Sequence, residues 1–142
     1  MKIIFDYNRT IFDPDTDNLY AGVFDLLKNL SKKHELFLIS RNEPGRKNRM
    51  MEIGISEFFR KAIFIEMKSK KIFKELVGEN ELALVVGDSI KDEIRIGNKL
   101  GFVTIRVKIG KFSRQISMDK SEVAKHNVYS IVELEKIIKL YE

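Results

Sequence analysis

Residues 2–10 have the sequence KIIFDYNRT, a short apolar segment that passes directly into polar side chains. The apolar part is short and β-branched, which is typical of a strand buried on both faces. Asp6 follows this strand at once, and Asn8 comes two residues later. An aspartate in that position is either an active-site group or part of an ordinary turn. The polar residues at the ends of the other strands decide between these two interpretations.

Four further apolar runs of the same kind occur along the chain. They lie at residues 36–39, 62–65, 82–86 and 103–107. Between the runs, apolar residues recur three or four positions apart, which predicts amphipathic helices. These helical stretches lie at residues 23–30, 72–77, 92–100 and 130–141. The alternation predicts an α/β fold with a mostly parallel five-stranded sheet, in a single domain over residues 1–142. A short final strand is also predicted near residues 126–129.

Composition sets further limits. The 142 residues are 44% hydrophobic and 33% charged, as in ordinary soluble globular proteins. With no membrane-length apolar run and no signal peptide, the default expectation is a cytosolic protein without a membrane partner. The lack of cysteine excludes disulfides and thiolate metal sites. The net charge of +5 favours anionic ligands such as phosphates or nucleic acid, or else reflects a solvated, lysine-rich surface.

Polar residues follow the strands where a parallel α/β sheet binds its ligands, beyond the carboxyl ends. They are Asp6 after the first run, Ser40 and Arg41 after the second, Lys68 after the third, and Asp88 and Asp92 after the fourth. Two carboxylate-bearing loops, a hydroxyl and a lysine are therefore expected to meet at one edge of the sheet. Their joint placement favours a site over a set of unrelated turns.

These segments resemble, in order, the four motifs of the haloacid dehalogenase (HAD) superfamily, most of whose members are phosphatases and phosphotransferases. The matching stretches are IIFDYNRT at 3–10, LFLIS at 36–40, EMKSKKIF at 66–73 and VVGDSIKDE at 85–93. The stretch GFVTIRVKIGKF at 101–112 is similar to the segment that follows the fourth motif. The resemblance covers essentially the whole chain and implies a HAD-like Rossmannoid three-layer sandwich. The short spacing between motifs implies that there is no cap domain.

The resemblance implies a magnesium-dependent site. Asp6 would attack phosphorus and form an aspartyl-phosphate, since Mg²⁺ offsets the repulsion between carboxylate and phosphate ester. The Mg²⁺ ligands would be the carboxylates of Asp6 and Asp88 and the backbone carbonyl of Asn8. Asp92 would be a further ligand or the hydrogen-bond partner of one. A plain turn at residues 87–89 and a helix-favouring role for Asp92 are the structural alternatives.

The phosphoryl oxygens would be held by Ser40, Arg41 and Lys68. Ser40 also has the chemistry to cap the helix that follows it. Lys70 and Lys71 are close enough in sequence to compete with Lys68, and any of the three suits a solvated surface.

Asn8 departs from the family pattern, which implies a second aspartate here to carry the proton of the leaving group. A carboxamide does not titrate in this range, so that step is impaired while the backbone carbonyl is kept. The leading hypothesis is a weakened phosphatase or phosphotransferase. The alternative is a phosphate- or metal-binding protein with little turnover. The dehalogenase branch also lacks the aspartate, but its helical cap has no room here.

The first loop has two further features. Arg9 occupies a position that is usually glycine in the family, so it has to tolerate the local turn. Residues 13–18, DPDTDN, begin like a calcium-binding EF loop but place Asn18 and Phe24 where glycine and glutamate are required. That segment is predicted to be a turn in a hairpin flap over the site.

An uncapped site is open, which has consequences for partners. One alternative is a large phosphorylated substrate, such as a macromolecule. The other is a homo-oligomer, in which a second copy of the chain closes the site against water. The net charge is compatible with nucleic acid, although no nucleic-acid-binding motif is present.

Overall fold

The computed structural model describes residues 1–79, 81–110 and 114–142. The strands are β1 (Lys2–Phe5), β2 (Phe12–Asp13), β3 (Asn18–Leu19), β4 (Glu35–Arg41), β5 (Lys61–Ile65), β6 (Ala83–Gly87), β7 (Val103–Val107) and β8 (His126–Val128). The α-helices are α1 (Val23–Ser31), α2 (Arg46–Ile53), α3 (Lys70–Val77), α4 (Arg95–Lys99) and α5 (Ile131–Lys139). A π-helical turn at Ile90–Ile94 leads into α4. Two 3-10 turns lie at Ser56–Phe58 and Lys120–Glu122. Residues 111 and 112, which end the predicted segment after the fourth motif, lie outside the described residues.

Six of the strands form one parallel sheet in the order β5-β4-β1-β6-β7-β8. The central strand is β1, in which Ile4 lies opposite Phe37 of β4 and Val85 of β6. The α/β prediction is confirmed, with one strand more than the predicted five. The sixth strand is the short β8, which confirms the final strand predicted near residues 126–129. It extends the sheet because it pairs in parallel with β7, with Ile105 opposite His126.

Both faces of the sheet are covered, which explains why the strands read as continuous apolar runs. Successive residues of β1 point to opposite faces. Ile3 and Phe5 belong to one buried cluster together with Leu27 of α1. Ile4 belongs to another, together with Phe73 of α3. The result is the predicted three-layer arrangement, with the helices in the outer layers.

The hairpin predicted after the first loop is formed by β2 and β3, which pair in antiparallel orientation. Its tip is the polar 13–18 segment, in which the Asp13 carboxylate accepts a hydrogen bond from the Asp15 N–H at 3.0 Å. This local bond is typical of an Asx turn. The hairpin interpretation of this segment is therefore confirmed.

The helices show which sequence patterns were informative. In α5, Ser130 caps the helix as predicted, accepting a hydrogen bond from the Glu133 N–H at 3.1 Å. The π turn and α4 together occupy the helix predicted at 92–100, with Ile94 and Ile96 buried. No apolar period predicted α2, because Met50 is its one buried residue. None of the helices in the described ranges has the length and apolar character needed to cross a membrane.

Candidate active site

The carboxyl ends of the central strands surround a cavity of about 360 Å³. Six of the seven predicted site residues line it: Asp6, Asn8, Arg41, Lys68, Asp88 and Asp92. They come from the loop after β1, the end of β4, the segment between β5 and α3, and the residues that follow β6, including the π turn. The fold thus brings these residues together as expected for a parallel sheet.

Asp6 lies at the end of β1 and is 8% exposed. Its backbone N–H donates to the Val86 carbonyl at 2.9 Å, which fixes it against the neighbouring strand β6. Its carboxylate accepts hydrogen bonds from Lys68 Nζ at 2.7 Å and from Thr10 Oγ1 at 3.4 Å. The carboxylate is therefore oriented by a cation and a hydroxyl while keeping a face on the cavity.

The loop after Asp6 closes on itself. The Tyr7 carbonyl accepts hydrogen bonds from the N–H groups of Ile11 and Phe12, at 3.1 and 3.0 Å. Arg9 sits inside this turn with φ of +59°, in the left-handed region that favours glycine. The expectation that the residue must tolerate a special turn is confirmed. Its guanidinium lies 3.4 Å from the Asp15 carboxylate of the hairpin.

Three carboxylates meet on one side of the cavity. Oxygen atoms of Asp6, Asp88 and Glu93 all lie within 4.8 Å of one another. Glu93, in the π turn, is 1% exposed and was not among the predicted site residues. Its carboxylate also pairs with Lys68. We call Asp6, Asp88 and Glu93 the carboxylate cluster.

Asp92, which was predicted as a metal ligand or a ligand's partner, lies outside the carboxylate cluster. Its carboxylate instead pairs with the guanidinium of Arg41 at 3.2 Å. The reason is the geometry of the π turn, which directs the next residue, Glu93, back against the end of β6. There the Ser89 N–H donates to Glu93 Oε2 at 3.2 Å.

Gly87 makes room for Glu93. A Cβ atom at position 87 would lie 2.6 Å from Glu93 Cγ and 2.8 Å from its Oε2, closer than real Cβ atoms come. A glycine directly before Asp88 is thus the sequence signal for a buried side chain nearby. Sequence alone does not show which of the two consecutive acids, Asp92 or Glu93, fills that space.

The carboxylate cluster holds more negative charge than its surroundings neutralise. Burial, and then the charges of Asp6 and Glu93, raise the pKa of Asp88 to about 8. Burial, and then the charge of Asp6, raise the pKa of Glu93 to about 7. Burial alone would lower the pKa of Lys68, but the attraction of Asp6 and Glu93 outweighs it and raises that pKa. Three close carboxylates with one ammonium group retain the charge and the hard oxygen donors that suit a divalent cation such as Mg²⁺.

We expect the metal-free protein to become less stable as the pH rises from 5 to 8. The folded pKa of Asp88, about 8, lies above its ordinary value of 3.8. The raised pKa of Asp88 therefore adds its full contribution to the free energy of unfolding below pH 3.8, and this contribution is lost as the pH approaches 8. Each proton held in the folded state alone contributes a slope of about −1.4 kcal/mol per pH unit. Urea unfolding in EDTA at several pH values measures the slope of the free energy of unfolding against pH. An Asp88→Asn control should flatten the slope, and a wild-type slope that is zero or positive would contradict the expectation.

The predicted phosphate-binding residues are placed differently from one another. Lys68 is buried and lines the cavity, whereas Lys70 and Lys71 are exposed on α3. Ser40 is fully buried and is not among the residues that line the cavity. Its hydroxyl donates to the Arg41 carbonyl and accepts from Arg46, both at 3.1 Å. In this geometry Ser40 organises the end of β4 instead of facing the cavity.

Neither a protein-family model nor a curated protein sequence matches this chain. Solved structures do. An uncharacterised protein from Listeria monocytogenes serotype 4b has a TM-score of 0.79 at 16% identity, over 99% of this chain and 97% of that one. The D,D-heptose 1,7-bisphosphate phosphatase from B. bronchiseptica, complexed with magnesium and phosphate, has a TM-score of 0.76 at 10% identity, over 100% of both chains.

A third similar structure is the HAD-hydrolase YfnB from Bacillus subtilis, solved bound to magnesium. Its TM-score is 0.71 at 20% identity, over 86% of this chain. This chain spans 57% of the length of YfnB. At such identities the similarity establishes the arrangement of helices and strands, not the activity. The protein has the fold of the haloacid dehalogenase-like hydrolases.

Proposed function

We propose that this protein is a magnesium-dependent phosphoric monoester hydrolase of the HAD superfamily, with Asp6 as its nucleophile. The observation that supports this most is the carboxylate cluster, whose oxygens lie within 4.8 Å of one another at the cavity. Lys68 Nζ, 2.7 Å from the Asp6 carboxylate, adds a cation at the same point. A nucleophile, anionic metal donors and a lysine in one cavity are the groups that phosphoryl transfer through an aspartate needs.

The reaction would run in two steps. An Asp6 carboxylate oxygen attacks phosphorus, the bond from phosphorus to the ester oxygen breaks, and the alcohol leaves with a proton from water. Water then attacks phosphorus of the aspartyl-phosphate, which releases inorganic phosphate and restores Asp6. Lys68 would hold a phosphoryl oxygen by charge, and Thr10, 3.4 Å from the carboxylate, would orient Asp6.

Asp6, Asp88 and the carbonyl of Asn8 would hold Mg²⁺, with Glu93 as a further ligand. When bound, the ion supplies positive charge that lets an anionic carboxylate approach an anionic phosphate ester. The same charge would stabilise the ionised forms of Asp88 and Glu93. Asn8 also lines the cavity, which supports the proposal that its amide stands in for the acid that the family resemblance implies.

Magnesium binding tests the site directly. We expect calorimetric titration of wild-type protein with MgCl₂ to show one site, and the Asp88→Ala and Glu93→Gln variants to weaken binding at least about tenfold, because each removes a carboxylate ligand. Asp92→Asn is the matched control, since that carboxylate pairs with Arg41 outside the cluster, and it should bind within about threefold of wild type. No binding by wild type, or equal losses in all three variants, would refute the site.

A catalytically impaired binding protein is the second candidate, and Asn8 is the observation that favours it. A protein without a proton carrier can keep the metal and phosphate sites while turning over slowly. The two candidates differ in wild-type turnover. Release of phosphate that disappears in Asp6→Asn supports the enzyme, while phosphate binding without release supports the binding protein.

A further inference from the structure

A second cavity, of about 380 Å³, adjoins the active-site cavity and shares Arg41, Lys68 and Asp92 with it. Its walls are strongly basic. Of the residues that the structure describes, one carboxylate, Asp92, lines it together with six lysines and arginines: Arg41, Lys68, Lys70, Lys91, Arg95 and Lys99. We call this cavity the basic groove. It runs between the start of α3 and the π turn with α4.

The cations of the basic groove are arranged along one side of a helix. Lys91, Arg95 and Lys99 are four residues apart through the π turn and α4, and the same cavity borders all three. Lys70, the first residue of α3, faces them. Like charges at this spacing on a helix repel each other. An anion bound in the groove would relieve that repulsion.

Four of the basic side chains in the groove have no ion-pair partner in the part of the chain that the structure describes. Within the described residues, none of Lys70, Lys91, Arg95 and Lys99 forms an ion pair, whereas Arg41 and Lys68 do. Outside the groove lining, the Asp119 carboxylate interacts electrostatically with two of these cations, Lys99 and Arg95. Hydrogen bonds from Ser121, with smaller contributions from Lys99 and Arg95, lower its pKa. Asp119 is fully solvated, so it screens the groove weakly.

We propose that the basic groove binds the backbone of a single-stranded nucleic acid whose terminal phosphate enters the active-site cavity. The second half of this proposal rests on the proposed phosphatase function. Such a strand carries a repeated negative charge for the groove and a phosphate monoester for Asp6 in one molecule. An acidic peptide carries the charge but not the monoester.

The shape of the site supports a free single strand. Asp6 is 8% exposed at the cavity floor, so the ligand must present an end that can reach inward. Met67, beside the groove, is 81% exposed and offers a soft apolar surface to a base. Among the described residues, no aromatic side chain lines the groove, so we expect charge to dominate binding and sequence preference to be slight.

Fluorescence anisotropy with a labelled 12-nucleotide single-stranded DNA bearing a 5′-phosphate tests the groove. We expect the Lys70→Ala/Lys91→Ala/Lys99→Ala triple variant to bind at least about tenfold more weakly at low salt. The dependence of log affinity on log salt should fall in slope by about 2, since each phosphate contact on a single strand contributes about 0.7.

The matched control carries the same charge change on the other face of the sheet. Lys28, Lys32 and Lys136 are exposed and form no ion pair within the described part of the chain, and helices α1 and α5 pack in the opposite cluster. The Lys28→Ala/Lys32→Ala/Lys136→Ala variant should bind the oligonucleotide within about twofold of wild type. Equal weakening of both triple variants would show that net charge, not the groove, drives binding and would overturn the proposal.

Two further measurements separate the groove from the catalytic proposal. A 12-residue polyglutamate that binds as tightly as the oligonucleotide would overturn the choice of nucleic acid. Oligonucleotide binding that needs the groove lysines, without release of phosphate from the oligonucleotide or from small esters in Mg²⁺, keeps the groove and refutes the phosphatase. Hydrolysis of small phosphate esters without any effect of the groove variant on the oligonucleotide refutes the groove and keeps the phosphatase.

Discussion

Replacing Asn8 by aspartate is expected to raise phosphatase turnover about 10²–10⁴-fold, the usual contribution of a general acid–base. Asn8 lines the cavity two residues after the proposed nucleophile, the position at which the family resemblance implies an acid that protonates the leaving oxygen. The gain should be greatest for alkyl phosphates, whose alkoxides are poor leaving groups, and smallest for p-nitrophenyl phosphate. The measurement is kcat for both ester types in Mg²⁺.

The matched control for this gain is Asn18→Asp, which makes the same change on the exposed hairpin. It should leave kcat unchanged. Adding Asp6→Asn to Asn8→Asp should remove the gain, because the acid has no function without the nucleophile. If Asn8→Asp does not raise turnover while magnesium still binds, the Asn8 side chain does not act at the leaving group, and the proposed position of the proton carrier is wrong.

Replacing Lys68 by methionine is expected to destabilise the metal-free protein by about 3–5 kcal/mol at pH 8, the usual cost of leaving a buried charge without its partner. The Lys68 side chain is 2% exposed and pairs with both Asp6 and Glu93. Methionine preserves the length and the apolar contacts of the side chain, so the loss reflects the charge. Urea unfolding in EDTA gives the free energy of unfolding.

Two comparisons show whether the loss comes from the buried charges. Lys70→Met removes an exposed lysine two residues away and should cost less than about 0.5 kcal/mol. The Lys68→Met loss should also shrink at pH 5, because protonation of Glu93, whose pKa is about 7, relieves the uncompensated charge. A cost that is the same at pH 5 and pH 8 would assign it to packing.

The sequence predicted the structure best where a residue pattern is compatible with only one kind of secondary structure or one position in the sheet. The five apolar runs became strands because a strand buried on both faces needs continuous apolar residues. Asp6 and Asp88 could be placed because parallel strands end at a common edge. The sequence could not show which of Lys68, Lys70 and Lys71 lines the cavity, because all three precede or begin the same helix, α3.

The remaining features depend on packing that sequence spacing does not encode. Helix α2 was missed because one buried residue, Met50, gives no apolar period. Glu93 was missed because a π turn shifts which of two adjacent acids points inward, by about one residue relative to an α-helix. Ser40 was expected at the phosphate, but Arg46, which follows it by six residues, holds its hydroxyl.

The contacts of Lys68 with Asp6 and Glu93 also bear on whether folding or metal binding comes first. A site made of carboxylates alone would repel itself during folding until a metal ion arrived. In this protein Lys68, which lies 62 residues after Asp6 in the sequence, supplies a positive charge at the carboxylates without a metal ion. We therefore expect the protein to fold before it binds the proposed Mg²⁺, and a shortage of that ion to lower the proposed activity before it lowers the free energy of unfolding.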